Sequence, residues 1–124
     1  MHRDFKLANV LLHDKMCKIA DLGFAKKMAP NSMTSSLLGT GVTMAPEVLE
    51  GSPYGMKADI WSIGVVFYQL LTGKYPYLGA NFKDLLRKIK TTPVDYSVMR
   101  ISPLATDFIK KCLMVKPEQR ISWV

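Results

Sequence analysis

The chain opens MHRDFKLAN, and there Asp4, Lys6 and Asn9 bring a carboxylate, an ammonium and a carboxamide into one short loop. Those groups match what phosphoryl transfer asks of a protein, which positions reactants and neutralises charge more than it forms bonds. A carboxylate such as Asp4 can accept a hydroxyl proton, and a cation such as Lys6 can steady the moving phosphate. The Asn9 amide oxygen can ligate a hard cation such as magnesium. Taken alone, the cluster reads as a polar turn with incidental charges. Its meaning depends on the residues downstream.

After the loop come ADLGFAK, with a second carboxylate at Asp21 and a flexible Gly23, then GTGVTMAPE over 39–47, DIWSIG over 59–64, and a late Arg120. In this order and near this spacing, the series resembles the C-terminal lobe of the protein kinase superfamily, serine/threonine class. The resemblance covers essentially the whole chain. It implies a mainly α fold, in which a catalytic loop, a short β-hairpin, an activation segment and a helical bundle succeed one another. It also implies a partial kinase domain over 1–124: catalytic loop 1–9, hairpin 10–20, activation segment 21–47 and helical body 48–124.

The same resemblance assigns roles. Asp4 matches the catalytic base, Lys6 the serine/threonine-type lysine two residues on, and Asn9 and Asp21 the metal-binding pair. Thr40 matches a threonine that hydrogen-bonds the catalytic aspartate and lysine. Leu22 replaces the usual phenylalanine after Asp21, stays apolar and can pack against His2, which reads as a structural histidine. Leu11, between Val10 and Leu12, resembles the apolar strip beneath an adenine ring, although core strand residues would look the same. Leu37, Gly41 and Met44 align with the pocket for the substrate residue after the phosphorylated one. Arg3 and Lys26 align with cations that clamp a phosphate carried at Ser36, with Thr34 and Ser35 as rivals. Glu47 and Arg120 look like a buried ion pair, and Asp59 like the residue holding the catalytic-loop backbone. ATP and Mg2+ are the implied cofactors, and proteins with Ser/Thr acceptors the implied substrates.

These groups need elements to hold them. Val10–Leu12 and 17–20 are short apolar runs around His13-Asp14-Lys15-Met16, which predicts a hairpin. The polar stretch from Lys26 to Thr43 has neither helical nor strand period. Asp59 is placed to cap a helix through Ile60, Ile63, Phe67, Leu70 and Leu71 that stops at Gly73. With Val65 and Val66 on its other side, that helix is apolar nearly all round and is predicted to be buried centrally. Asn81 is predicted to cap a second helix with Phe82, Leu85, Leu86 and Ile89 on one face. Ser102-Pro103 opens a third, with Leu104, Phe108, Ile109, Cys112 and Leu113 as its inward stripe.

Composition narrows the class. At 124 residues and 48% hydrophobic, the chain can bury a core, and no run approaches the roughly 20 apolar residues of a membrane span. The net charge of +7 is scattered, without a basic stripe interleaved with aromatics. A nucleic-acid module would therefore explain the charge but none of the motifs. Cys17 and Cys112 lack metal-ligand spacing and read as reduced thiols, which points to the cytoplasm or nucleus.

Two departures from the family stand out. Gly41 replaces a proline and Thr43 a tyrosine, which touches substrate positioning rather than a catalytic group. No Gly-rich loop and no strand lysine precede the catalytic loop, so the N-terminal lobe is expected to be missing and Met1 to mark a cut edge. RISWV likewise stops where a further helix is expected. The chain alone is then expected to have little kinase activity, and the alternative is a non-catalytic kinase-like scaffold that binds partners.

Overall fold

Helices dominate, with one hairpin at the start, in a computed structural model that describes residues 1–21 and 41–123. A 3-10 turn over Leu7–Asn9 leads straight into strand β1 (Val10–His13), which pairs antiparallel with β2 (Met16–Ile19). The register, Val10 opposite Ile19 and His13 opposite Met16, leaves Asp14-Lys15 as a two-residue turn. Both turn residues have positive φ, 49° and 62°. That is the hand a tight hairpin turn needs, reached here without glycine at about 1–2 kcal/mol per residue. The hairpin lies where the apolar runs predict it, but it is not core: Leu11, Leu12, Met16 and Ile19 are all exposed.

The body is built on α2 (Lys57–Thr72). Before it, Gly41–Thr43 forms a 3-10 turn and α1 (Pro46–Leu49) a single helical turn. The end of the stretch without sequence periodicity is therefore ordered: Gly41, Val42 and Thr43 are buried and wound against α2. After it come α3 (Phe82–Thr91) and α4 (Pro103–Cys112). Two of the predicted caps form: Asn81 accepts from the Asp84 N–H at 2.9 Å, and Ser102 accepts from the Ala105 N–H at 3.2 Å. Gly73, at φ 70°, ends α2 in the left-handed conformation that glycine adopts at little cost.

The core gathers Trp61 and Val65 of α2, Leu85 and Ile89 of α3, Ile109 of α4, then Leu113, with Tyr68, Tyr77 and Met99 around them. Fully burying one such aliphatic side chain contributes about 1.5–3 kcal/mol. Trp61 stacks on Tyr77 at 6.3 Å between ring centroids, their planes 8° apart. Gly64 lets α4 come close, since a Cβ there would collide with Cys112 and Leu113.

Three expectations need correction. Asp59 does not cap α2, because the helix starts two residues earlier and Asp59 sits in its first turn. Nor is α2 buried all round: Phe67, Leu70 and Leu71 are exposed. The described elements cover only its other sides. For the same reason Leu104 and Phe108 do not point inward, Leu104 being 83% exposed. Together Ile60, Ile63, Phe67, Phe108 and Trp123 line an open apolar groove of about 300 Å³. Among the described residues, no helix is long and apolar enough to cross a membrane.

Candidate active site

The segment before β1 is held from below by α2. Both carboxylate oxygens of Asp59 accept backbone N–H groups, from His2 at 2.8 Å and from Arg3 at 2.9 Å. Arg3 takes φ 68°, a conformation that costs a non-glycine residue about 1–2 kcal/mol. Two charge-assisted hydrogen bonds to Asp59 more than offset it. His2 ties the same segment to the far side of the hairpin, with Nε2 3.1 Å from the Ala20 carbonyl. Its Nδ1 faces the Asp4 N–H at 3.4 Å, and the Nε2–H tautomer serves both contacts.

This bracing turns Asp4 inward, leaving it only 5% exposed. One carboxylate oxygen, Oδ2, lies 3.0 Å from Lys6 Nζ and 3.5 Å from Asn9 Nδ2. The other, Oδ1, is buried with no hydrogen-bond partner among the described residues. An orphaned carboxylate oxygen is costly, on the order of 1–3 kcal/mol or more for a charged group. Such a cost is tolerated where an incoming donor relieves it.

Asn9 is buried beside Asp4 and gives its amide N–H to the Asp4 carbonyl at 2.9 Å. That commits the nitrogen and leaves the amide oxygen as what Asn9 can offer a cation. The Ala20 N–H donates to the Asn9 carbonyl at 2.8 Å, extending the hairpin pairing by one residue. Asp21 therefore emerges next to Asn9, exposed and at φ 61°. No cluster of three or more His, Cys, Asp or Glu residues with metal-binding geometry occurs among the described residues. Magnesium does not need one, since it is commonly held by one or two protein oxygens together with phosphate and water. The Asn9–Asp21 pair fits that pattern.

Elsewhere in the body the structure brings together Glu47 and Arg120. Arg120 Nη1 donates to Glu47 Oε1 at 2.8 Å and Nη2 to Oε2 at 3.0 Å, a buried two-pronged pair. Leu11 sits on β1 opposite Lys18, half its surface exposed. Leu22, Gly23, Lys26, Thr34, Ser35, Ser36, Leu37 and Thr40 lie outside the described residues.

Three contributors are not evident from the sequence. Ser62 Oγ donates to the Thr43 carbonyl at 2.7 Å, pinning the segment before α1 to α2. The helical period carried that signal, because Ser62 lies three residues after Asp59 and shares its face. Tyr54 faces the Arg3 guanidinium, 5.9 Å from ring centroid to Cζ, while Arg3 Nε is buried and without a hydrogen-bond partner among the described residues. Lys57 Nζ donates to the Pro117 and Arg120 carbonyls at 2.9 and 3.0 Å. No local sequence signal marks either of these last two.

Comparison with known proteins agrees with this geometry. The family model for the protein kinase domain matches residues 1–124. The chain is 36% identical over 127 residues to serine/threonine-protein kinase atg1 of Dictyostelium discoideum, a match covering 99% of this chain and 19% of that protein. Serine/threonine-protein kinase 36 of Pongo abelii is 38% identical over 125 residues, covering 99% of this chain and 9% of its own. Serine/threonine-protein kinase ppk11 of Schizosaccharomyces pombe is 38% identical over 123 residues, with 97% and 39% covered. The chain thus spans well under half the length of each of these relatives. A family match over its full length, on a fold that gathers Asp4, Lys6 and Asn9 at one point, places the chain in the protein kinase domain family.

Proposed function

We propose that this chain carries the catalytic face of a serine/threonine protein kinase and positions a Ser or Thr hydroxyl for phosphorylation. The observation that carries the reading is the divided state of Asp4. Oδ2 is engaged by Lys6, while Oδ1 is buried and unpartnered among the described residues. Oδ1 accepts the hydroxyl proton, so that the substrate oxygen bonds to phosphorus as the bond to the leaving diphosphate breaks. Lys6 holds the carboxylate in place beforehand. ATP with Mg2+, the cofactors general to the family, supplies the transferable phosphoryl group. The Asn9 amide oxygen and the Asp21 carboxylate are the groups this chain offers the metal. Leu11 offers an apolar surface to the nucleotide base, and the exposed Leu12, Met16 and Ile19 leave the hairpin suited to cover by an N-terminal lobe.

The same reading gives the supporting residues their roles. Asp59 and His2 hold the loop, Glu47 and Arg120 hold the segment after it, and Thr40, outside the described residues, keeps only the supporting role that the family resemblance assigns it. Arg3, whose Nε has no partner among the described residues, joins Lys26 in receiving a phosphate on Ser36.

The test is phosphate transfer to a mixture of Ser- and Thr-containing peptides by the protein at its full cellular length. Asp4→Asn is expected to lower turnover by about 10²–10⁴-fold, the typical share of general-base catalysis, in protein that is still folded by circular dichroism. Transfer that is absent in the wild type, or unchanged in Asp4→Asn, defeats the proposal.

A further inference from the structure

The single turn of α1 stands between two cavities. Val48 lines the space that it shares with Asp4. Pro46 and Glu50, on the opposite face of the turn, line an open cleft of about 340 Å³. Lys90 of α3 and Val115 and Pro117 of the chain after α4 close it, and the two cavities share no lining residue. The walls are mostly apolar and stiff: Pro46 is buried, Val115 packs against the core, and both prolines have a fixed φ. Behind them the Glu47–Arg120 pair and the bond from Lys57 Nζ to the Pro117 carbonyl hold the shape from inside. A hollow formed in advance loses little freedom when it is filled.

The charge around the cleft is one-sided. Glu47 is neutralised by Arg120 and Glu50 by Lys90. Lys116 lies exposed on the rim, with no carboxylate partner among the described residues. On α3, Lys83, Arg87 and Lys90 recur at i, i+4 and i+7, so an exposed row of cations runs along one face to the cleft. The helix as a whole holds four cations against one carboxylate, Asp84. From Lys83 to Lys90 the row is about 10 Å long. About three residues of extended peptide cover that length.

We propose that this cleft docks an extended, acidic segment of a partner protein. One apolar side chain enters between Pro46, Val115 and Pro117, where it leaves water. A carboxylate beside it meets Lys116, and carboxylates up to about three residues away meet Arg87 and Lys83. The apolar anchor supplies the burial, and the cations choose an acidic segment over a basic one. Because the cleft is separate from the Asp4 cavity, the docking does not depend on the kinase reading.

The test follows fluorescence anisotropy of three short, fluorescein-labelled peptide pools with the protein at full cellular length. The first has one Leu flanked on both sides by mixed Asp and Glu, the second has Ala in place of that Leu, and the third has the Leu flanked by Lys and Arg. The first pool is expected to bind roughly tenfold tighter than either of the others. Lys116→Glu combined with Lys83→Glu is expected to weaken it about tenfold. Both positions are exposed, so folding is not at stake. A control pair, Lys15→Glu and Lys18→Glu on the exposed hairpin, makes the same change in net charge and is expected to leave the affinity within about twofold. Equal binding of the Leu and Ala acidic pools overturns the proposal, since the surface would then attract any anion, such as a nucleic acid or an anionic lipid surface. An equal loss in the control pair overturns it too, because net charge and not the cleft would be responsible. So does a wild type that binds the acidic and basic Leu pools alike.

Discussion

Arg120 reaches back to Glu47, 73 residues earlier, and closes two hydrogen bonds to its carboxylate at 2.8 and 3.0 Å. The guanidinium does more than pair. It also donates to the carbonyls of Lys57 at 2.7 Å, Met114 at 3.0 Å and Val115 at 3.3 Å, and it lies over the Trp61 ring at 5.2 Å. One side chain thus joins α1, the start of α2 and the chain after α4. Removing a partner from a buried pair costs about 3–5 kcal/mol, because the other charge stays buried. Arg120→Met also orphans carbonyls, each worth about 1–3 kcal/mol when left dry, so it is expected to exceed Glu47→Gln. The apolar double variant Glu47→Leu/Arg120→Met is expected to stay well below wild type for the same reason. Urea titration ranks them; equal losses in the two single variants would mean the carbonyl contacts contribute nothing.

Asp59 offers a second test of position over identity. Its two oxygens hold the His2 and Arg3 amides, and through them the left-handed turn at Arg3 that presents Asp4. Asp59→Ala removes both acceptors, and hydrogen bonds to a charged group contribute about 1.5–3 kcal/mol each. Asp59→Asn keeps one acceptor but sets an NH2 group against the other N–H. Amide hydrogen exchange is expected to quicken first at residues 2–4, ahead of the body of α2. Uniform quickening along the whole chain would show a general loss of stability, with no specific tether to the loop.

How much of this is legible in the sequence depends on whether the cause is local. Asn81, Ser102 and Gly73 act on backbone groups within one turn of themselves, so residue type and spacing suffice. Period also identifies the helices, but it names a face and not what covers it. Leu104, Phe108, Phe67 and Leu70 read as inward because they are apolar, and they are exposed because no described element lies over them. Asp59 looks like a cap for the same reason that it holds the loop: it is an acceptor near a helix start. Its use is settled by where His2 arrives in space. Glu47 with Arg120, and the cleft that Pro46 shares with Lys90 and Val115, are relations between distant parts of the chain. The first is reachable only through resemblance to a family, and the second only from the structure.

The two thiols are expected to behave differently toward alkylation. Burial against α2 pushes the Cys112 thiol up to about 11, and the nearby Arg120 cation pulls it only partly back. Cys17 sits exposed on β2. Thiolate is the reactive species, so at pH 8 only about one Cys112 in a thousand is ionised, behind a packed wall as well. Iodoacetamide is expected to label Cys17 in the native protein and to reach Cys112 only in urea, as read by peptide mass spectrometry. Equal native labelling of both would contradict the packing of α4 on α2 at Gly64.

The start of α3 carries a pH dependence whose sign can be worked out. Arg87 beside it, then the Ala80 N–H and Lys88, hold the Asp84 carboxyl down at about 2. Its folded value therefore lies below the ordinary 3.8 of the unfolded chain. A depressed carboxyl stabilises the folded state at pH above the unfolded value, and that contribution drains away as pH falls through the folded one. Asp84→Asn is expected to be less stable than wild type at pH 7, and by the same margin at pH 5. The gap is expected to narrow below about pH 4 and to be largely lost near pH 2, where about half of the folded-state Asp84 carboxyls are protonated. Added salt is expected to shrink the pH 7 gap, since Arg87 and Lys88 are exposed enough to be screened. Chemical denaturation of both proteins at pH 7, 5, 3 and 2 measures it. A gap independent of pH would assign the effect of Asp84 to the hydrogen bond its side chain accepts from the Ala80 N–H, and not to its charge.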